Sequence, residues 1–335
     1  MRGSRREIVR FPPIKAKRVV HMKQKKLSHH PGQPLTKARW FCALDLMVLP
    51  GLIYLFINNY LPMAGLFIAF KRIDYSVGIF RSPWVGFRNF RFLFATRDAY
   101  IITRNTILYN LVFILLSTLF GVAVGIMLSE VKKQSMTKFY QTSILLPQLI
   151  SIIIVANIVF AYLSNATGLI NKSILPRLGQ KPINFYAEPK YWPFILPAVY
   201  VWKNLGYAAV IYYASILGID RELYEAALVD GASKFNQIVH ITIPLVTPTI
   251  ITLVLIHVGR IFYSDFGLFY QVPMNSGALF EVTNVIDTYV YRGLMQFNNI
   301  AMASAAGAYQ SIVGFITVLL ANWAVRRINP ESALF

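Results

Sequence analysis

The stretch DRELYEAALVDGASKFNQIVHITIPLVTP, residues 220–248, decides how this chain is read. It is polar and amphipathic as far as Ile241, yet it lies between two long apolar runs in a chain made mostly of such runs. Asp220 suits an N-cap for a helix starting at Arg221, because its carboxylate can accept from the free backbone N–H groups of the first turn. Arg221 and Glu222 then supply a charged first turn ahead of the apolar positions. Helical spacing places Leu223, Ala226, Ala227 and Asp230 along one side and Tyr224, Leu228 and Gly231 along the next. Small side chains at 226 and 227 let another surface come close, and Gly231 permits a left-handed bend that a Cβ would make costly. A second polar piece, Ser233 to His240, leads to Pro244, which suits the first turn of a following helix because its missing N–H has no partner there anyway. The predicted shape is helix, bend, helix; a plain amphipathic connector on a bilayer surface has the same pattern.

The flanking composition belongs to a membrane protein. Of 335 residues, 56% are hydrophobic and 14% charged, with a mean hydropathy of +0.51, more apolar surface than a soluble domain can bury. A formal net charge of +19 invites a polyanion, but the basic residues gather at the ends of apolar runs, as insertion into a membrane favours, so no nucleic acid is needed to explain them. The single cysteine, Cys42, excludes an internal disulfide and a cysteine-rich metal site. Residues 1–39 carry twelve Lys or Arg against one acid, Glu7, with Pro12, Pro13, Pro31 and Pro34 breaking any helix. They read as a basic cytoplasmic tail drawn to the anionic headgroups of membrane lipid.

Six apolar runs follow: Trp40 to Phe70, the uncharged stretch between Arg104 and Glu130, Phe139 to Leu163, Trp192 to Ile219, Pro244 to Phe266, and Ile300 to Val325. The second has 25 uncharged residues, about 37 Å of helix against a ~30 Å hydrocarbon core. An all-α, multi-pass fold with six crossings puts the tail, Lys132, Lys133, Lys138, Arg326, Arg327 and the loop at 220–244 on the cytoplasmic side, with both termini. Residues 71–104 run against this rule: Lys71, Arg72, Arg81, Arg88, Arg91, Arg97 and Arg104 face only Asp74 and Asp98, on the outer side.

Glu225, Ala226 and Ala227, then Gly231, then Ile241, Ile243 and Pro244 follow the spacing E-A-A, three residues, Gly, nine residues, Ile-x-apolar-Pro. This resembles the EAA loop of ABC importer permeases. Leu49-Pro50-Gly51, Pro62, Phe70, Lys71 and the run Ser82 to Phe90 look like the N-terminal region of carbohydrate-importer permeases. Arg260 to Phe266, followed by Asn284 to Arg292, is similar to type-I permeases that accept oligosaccharides released from complex polysaccharides. The resemblance covers roughly residues 40–330, the expected permease domain. It implies the type-I fold, a peripheral first helix plus a five-helix core. It also implies a second homologous permease subunit, an ATPase subunit dimer beneath, and an extracytoplasmic solute-binding protein that delivers an oligosaccharide. Coupling to the ATPase would rest on Glu225, Ala226, Ala227 and Gly231, with Tyr224 and Leu228 beside them.

The residues offer no chemistry of their own. There is no G-x-x-x-x-G-K-[ST] loop for phosphates, so ATP hydrolysis is expected on a separate subunit and the chain is read as no enzyme. His21, His29, His30, His240 and His257 are not at metal-ligand spacing, and neither metal nor cofactor is expected. Polar side chains inside spans are costly and therefore candidates for the substrate path. They are Asn157, Tyr200, Trp202, Lys203, Tyr207, Arg260, Tyr263 and Asp265, with Tyr162, Asn204 and His257 nearby. An aromatic face beside amides and charges suits a sugar ring, and Lys203 and Arg260 suit an anionic one. Arg260 with Asp265 also reads as an ion pair, and Tyr or Trp at span ends as interfacial belt. Gly121, Gly125 and the alanines from Ala301 to Ala306 let helices approach closely. An ion-coupled secondary sugar transporter and a membrane scaffold binding a soluble partner remain as other readings; the first needs mid-span acids, and Asp45 is the clear one.

Overall fold

The structure is a computed structural model that describes residues 43–296 and 298–328. The basic tail at 1–39 and Cys42 lie outside the described residues. Within them the chain is helical, and the β pairing present is an isolated bridge between Lys71 and Trp84. Two units divide the chain. The first ends at Ile57 and contains helix α1, Ala43–Leu55, whose apolar side chains from Met47 to Leu55 are exposed.

The second unit, Asn58–Phe335, holds the remaining helices. Among them are α2, Arg97–Ser129; α3, Gln134–Leu149; α4, Ile152–Leu163; α5, Trp192–Leu217; α6, Arg221–Val229; α7, Ile243–Val258; α8, Phe266–Gln271; α9, Ile286–Met295; and α10, Ile300–Ile328. Helical stretches long and apolar enough to cross a bilayer are Met47–Phe70, Arg97–Ser129, Pro189–Leu217, Lys234–Val258 and Ile300–Arg327, with α3 and α4 together as a sixth.

Two spans differ from their sequence reading. The third, expected as one helix from Phe139 to Leu163, turns by 92° between α3 and α4. Pro147 lies just before the turn and has no N–H to continue the ladder, and Ile150 and Ser151 adopt extended ψ angles of 130° and 141°. The carbonyls this frees are collected by Lys203 of α5, whose Nζ donates to the oxygens of Ile150 at 2.6 Å, Gln148 at 3.1 Å and Pro147 at 3.4 Å. A cation at a helix C-terminus also meets the negative end of its dipole. Lys203→Met is expected to destabilise the chain by about 2 kcal/mol, the worth of a charged hydrogen-bond donor, lowering the thermal midpoint in detergent by a few degrees while Lys203→Arg does not. An unchanged midpoint for the methionine variant would remove this role.

The fifth span, expected from Pro244 to Phe266, begins ten residues earlier in the continuous stretch Lys234–Val258 and stops at Gly259. Ile238–Thr242 forms a π-helical turn, whose wider ring leaves room for the Pro244 side chain near the His240 carbonyl. The polar second piece of the loop is therefore the root of the span itself.

Small residues set the closest approaches. A Cβ at Gly121 would lie 3.0 Å from the Ala208 Cβ, and one at Gly125 3.0 Å from the Tyr212 Cβ, so α2 and α5 pack backbone against backbone. Gly206 sits still closer to α3: its Cβ would fall 2.1 Å from the Ile144 carbonyl oxygen. On α10, Ala305 and Ala308 pack on Ala69, and Ala306 joins a cluster with Ile102, Ile261, Phe262 and Ile286.

Candidate functional site

A cavity of 310 Å³ opens between the spans. Its wall comes from Asn110, Phe113 and Ile114 of α2 and from Tyr200 and Asn204 of α5. His257 of α7 and the turn carrying Arg260, Tyr263, Ser264 and Asp265 close it. Tyr200, Arg260, Tyr263 and Asp265 of the expected path thus come together, joined by Asn204 and His257. Asn157, Trp202 and Tyr207 face outward from the chain elsewhere, and Asn157 donates its amide to the Ile153 carbonyl of its own helix at 3.0 Å. Lys203, turned to the α3 break, is also absent from the wall.

The wall has an aromatic side and a charged side. Phe113, 3% exposed and part of the core, stacks on the half-buried Tyr200 with ring centroids 3.9 Å apart and planes 6° from parallel, which fixes the Tyr200 ring in the wall. Asp265 serves as the N-cap of α8, accepting from the Leu268 N–H at 3.0 Å. The Arg260–Asp265 ion pair is not formed: among the described residues the ion pairs are Lys190–Glu188 and Lys234–Glu130. Arg260 therefore meets the cavity without a carboxylate partner.

The turn behind the cavity is irregular backbone packed among helices, so its polar groups must be satisfied by protein. Asn110 donates to the carbonyls of Ile261 and Tyr263, each at 3.0 Å. Asp287 of α9 accepts from the Ser264 N–H at 2.7 Å and from the Gln310 amide at 3.2 Å, while Gln310 also donates to the Phe262 carbonyl at 2.8 Å. Further along, the Asn105 amide serves the carbonyls of Glu281 and Asn284 at 3.1 and 2.9 Å, and Thr106 accepts from the Ile286 N–H at 3.0 Å. Arg292 donates to Asn275 at 2.8 Å and to Asn284, with its guanidinium 4.2 Å from the centre of the Phe280 ring.

Asn110, Phe113, Ile114 and Ser264 escaped the sequence reading, which treated the second run as a plain span. The signal was there in Asn105, Thr106 and Asn110, uncharged polar side chains within six residues of one another in a largely apolar run.

At the other end of α2 stands the second surface. Helix α6 starts as expected, with the Asp220 carboxylate accepting from the Glu222 N–H at 3.0 Å. It ends in a paired closure, Ala232 N–H to the Ala227 carbonyl at 2.8 Å and Gly231 N–H to the Leu228 carbonyl at 3.1 Å. Gly231 has φ +76° and nothing within 4 Å of its would-be Cβ, so glycine is needed there for conformation and not for space. Tyr224 turns inward, its hydroxyl 2.9 Å from that of Thr242, and Lys234 meets Glu130 at 3.0 Å. Glu225, Ala226, Leu228 and Gly231 remain outward, Ala227 is half-buried, and no residue of α6 is buried. Val229 and Phe235 are 89% and 73% exposed, which a soluble surface would not leave bare. From Glu130 back to Asn110 is twenty residues of α2, roughly 30 Å, so the exposed helix and the cavity are separated by about the thickness of a bilayer core.

Residues 117–330 match the family described as the binding-protein-dependent transport system inner membrane component. Protein LplB of Bacillus subtilis (strain 168) is 32% identical over 299 residues, 89% of this chain and 92% of that protein. The polygalacturonan/rhamnogalacturonan transport system permease protein YteP of the same organism is 32% identical over 289 residues, 86% of this chain and 89% of its own. The crystal structure of a bacterial ABC transporter involved in the import of the acidic polysaccharide alginate contains a chain that superposes with a TM-score of 0.78 at 33% identity, over 86% of this chain and 96% of that one. A second crystal structure, of a bacterial alginate ABC transporter with an alginate pentasaccharide-bound periplasmic protein, gives 0.77 at 33% identity over 85% and 94%. The chain belongs to this family: it is a multi-pass permease subunit of a type-I ABC importer of the carbohydrate class.

Proposed function

We propose that the chain forms half of the pathway for an acidic oligosaccharide, delivered by an extracytoplasmic solute-binding protein and driven by a separate ATPase dimer docked on α6. A second, homologous permease completes the pathway, and both termini lie in the cytoplasm with α6. The observation that carries this reading is the placement of a cavity holding Arg260 and Tyr200 roughly 30 Å along α2 from an exposed amphipathic helix with Val229 and the neighbouring Phe235 bare. The Tyr200 ring, held by Phe113, suits the apolar face of a sugar, and Arg260 suits a uronate carboxylate, bidentate and charge-assisted. Asp265 keeps its charge in the same wall, but its carboxylate is turned to the α8 N-terminus as a cap and forms no ion pair with Arg260.

Closure of the ATPase dimer on nucleotide moves the groove that holds α6, and the spans rock so that the cavity opens toward the binding protein. Glu225, Ala226, Ala227, Leu228 and Gly231 act in that docking, and Tyr224 ties α6 to the root of the fifth span.

The test is purification of the chain with its neighbouring subunits, followed by ATPase assays with and without binding protein loaded with uronate oligosaccharides. Stimulation by the loaded protein is expected; a chain that purifies alone, or with a partner that hydrolyses no ATP, would refute the reading. Within that assay Arg260→Gln should raise the half-saturating concentration of acidic oligosaccharide about tenfold, the loss of one charge-assisted contact, and leave that for a neutral oligosaccharide unchanged. Equal losses for both would assign Arg260 a structural part instead.

A further inference from the structure

Between Phe70 and Arg97 the chain builds a small, tightly bonded element at the end of α2 opposite α6. Lys71 is its hub: 4% exposed, it donates to the Ile79 and Phe80 carbonyls at 3.2 and 2.6 Å. Its ammonium also lies 5.3 and 5.1 Å from the ring centres of Phe67 and Trp84. The backbone doubles back through Arg72 N–H to Pro83 O at 3.0 Å and Val85 N–H to Phe70 O at 2.8 Å. Asn89 secures the fold by donating to the Ala69 and Lys71 carbonyls, each at 2.8 Å.

What this scaffold turns outward is unusual for a water-facing loop. Phe80, Trp84, Phe87 and Phe94 are 84%, 66%, 76% and 78% exposed. Arg72, Arg81, Arg88 and Arg91 are exposed among them, and none forms an ion pair with a described carboxylate. The neighbouring acid, Asp74, is held by its own turn, accepting from the Ser76 hydroxyl at 2.6 Å and N–H at 2.9 Å, which keeps its carboxyl below the ordinary range. Arg72 and Tyr75 also border a polar recess of 300 Å³ shared with Asn298 and Asn299.

We propose that this element is a docking surface for anionic glycerophospholipid headgroups. Large aromatics beside free guanidinium groups at the end of a membrane span match the two sides of that boundary. The rings rest among the upper acyl chains and glycerol, and each guanidinium can hold a phosphodiester through two parallel hydrogen bonds. This accounts for the cluster of basic residues that contradicts the usual charge bias of external loops: the charge is retained because lipid phosphate neutralises it. The assignment to the outer leaflet rests on the orientation given under Proposed function; the lipid contact itself does not.

The test uses the full-length chain in its assembled complex, reconstituted in phosphatidylcholine nanodiscs and titrated with phosphatidylglycerol, with retained lipid read by native mass spectrometry. The variant replaces Arg72, Arg81, Arg88 and Arg91 together by Gln; a companion replaces them by Lys. Because the basic tail at 1–39 is identical in all three proteins, the difference isolates this element. Surface electrostatics give roughly fivefold in affinity per basic residue, so phosphatidylglycerol retention should weaken at least tenfold in the Gln variant and hold to within a few fold in the Lys variant. Retention equal to wild type in the Gln variant overturns the proposal. So does loss of solute-binding-protein docking with lipid retention unchanged, which would assign the face to that protein. If the chain proved not to import sugar, transport would fail in the wild type while this difference in lipid retention stood.

Discussion

Gly231→Pro is expected to leave the chain inserted in the membrane and to abolish nucleotide-driven uptake. The residue has φ +76°, while proline is fixed near −65°, and its N–H is bonded to the Leu228 carbonyl, a donor proline lacks. Both closing bonds of α6 are then lost, and the helix can no longer leave its last turn at the angle that brings Ser233 into place as the next N-cap. Spans on either side are untouched, so membrane fractionation should show normal insertion. Gly231→Ala is graded: a left-handed alanine costs about 1–2 kcal/mol, enough to reduce coupling without removing it. Normal uptake by the proline variant would mean that α6 is not where the ATPase acts.

Gly206→Val is expected to have the largest effect on stability. The first added atom alone would lie 2.1 Å from the Ile144 carbonyl oxygen, 2.6 Å from its carbon and 3.0 Å from the Leu145 Cα. All three belong to backbone, so no side-chain rotation relieves the clash and α3 and α5 must move apart. Overpacking of this kind, against backbone that cannot rotate away, costs about 3 kcal/mol, the top of the usual range. It should also draw Lys203, one turn earlier on α5, away from the carbonyls at the α3 break. Thermal unfolding in detergent, with Gly307→Ala as control, measures it. Gly307 has nothing within 4 Å of its Cβ position, so alanine there should be neutral or stabilising by up to about 1 kcal/mol. A midpoint for Gly206→Val equal to wild type would contradict the packing described.

What could be read in advance was local in the chain. The apolar runs, the Asp220 cap and the bend at Gly231 each depend on neighbours in sequence, and each appears in the structure, the third run as a bent pair and the fifth shifted toward Lys234. The break in the third run was written in Pro147, but hydropathy averages over a window and does not register one missing donor. Cavity membership depends on which helix faces meet, and so it divided the candidates. Tyr200 and Arg260 entered, while Lys203, one turn along the same helix from Tyr200, went to the carbonyls of α3. Asn110 was passed over because an amide in an apolar run says nothing about which carbonyls need it until the turn at Ile261 to Tyr263 is folded against it.

The stretch Lys234–Val258 carries one more consequence. It is a single helix of 25 residues, about 37 Å long, with Phe235 bare at one end, His257 in the cavity wall at the other, and Val246 clamped near its midpoint at 1% exposure. A helix buried at its centre and bare at its ends can turn about that centre, with the π turn at Ile238–Thr242 and Pro248 as the places where it would bend. If the helix turns as one piece, a sideways displacement of Phe235 reappears at His257 in the opposite sense, and the coupling proposed above would need no relay of side-chain rearrangements.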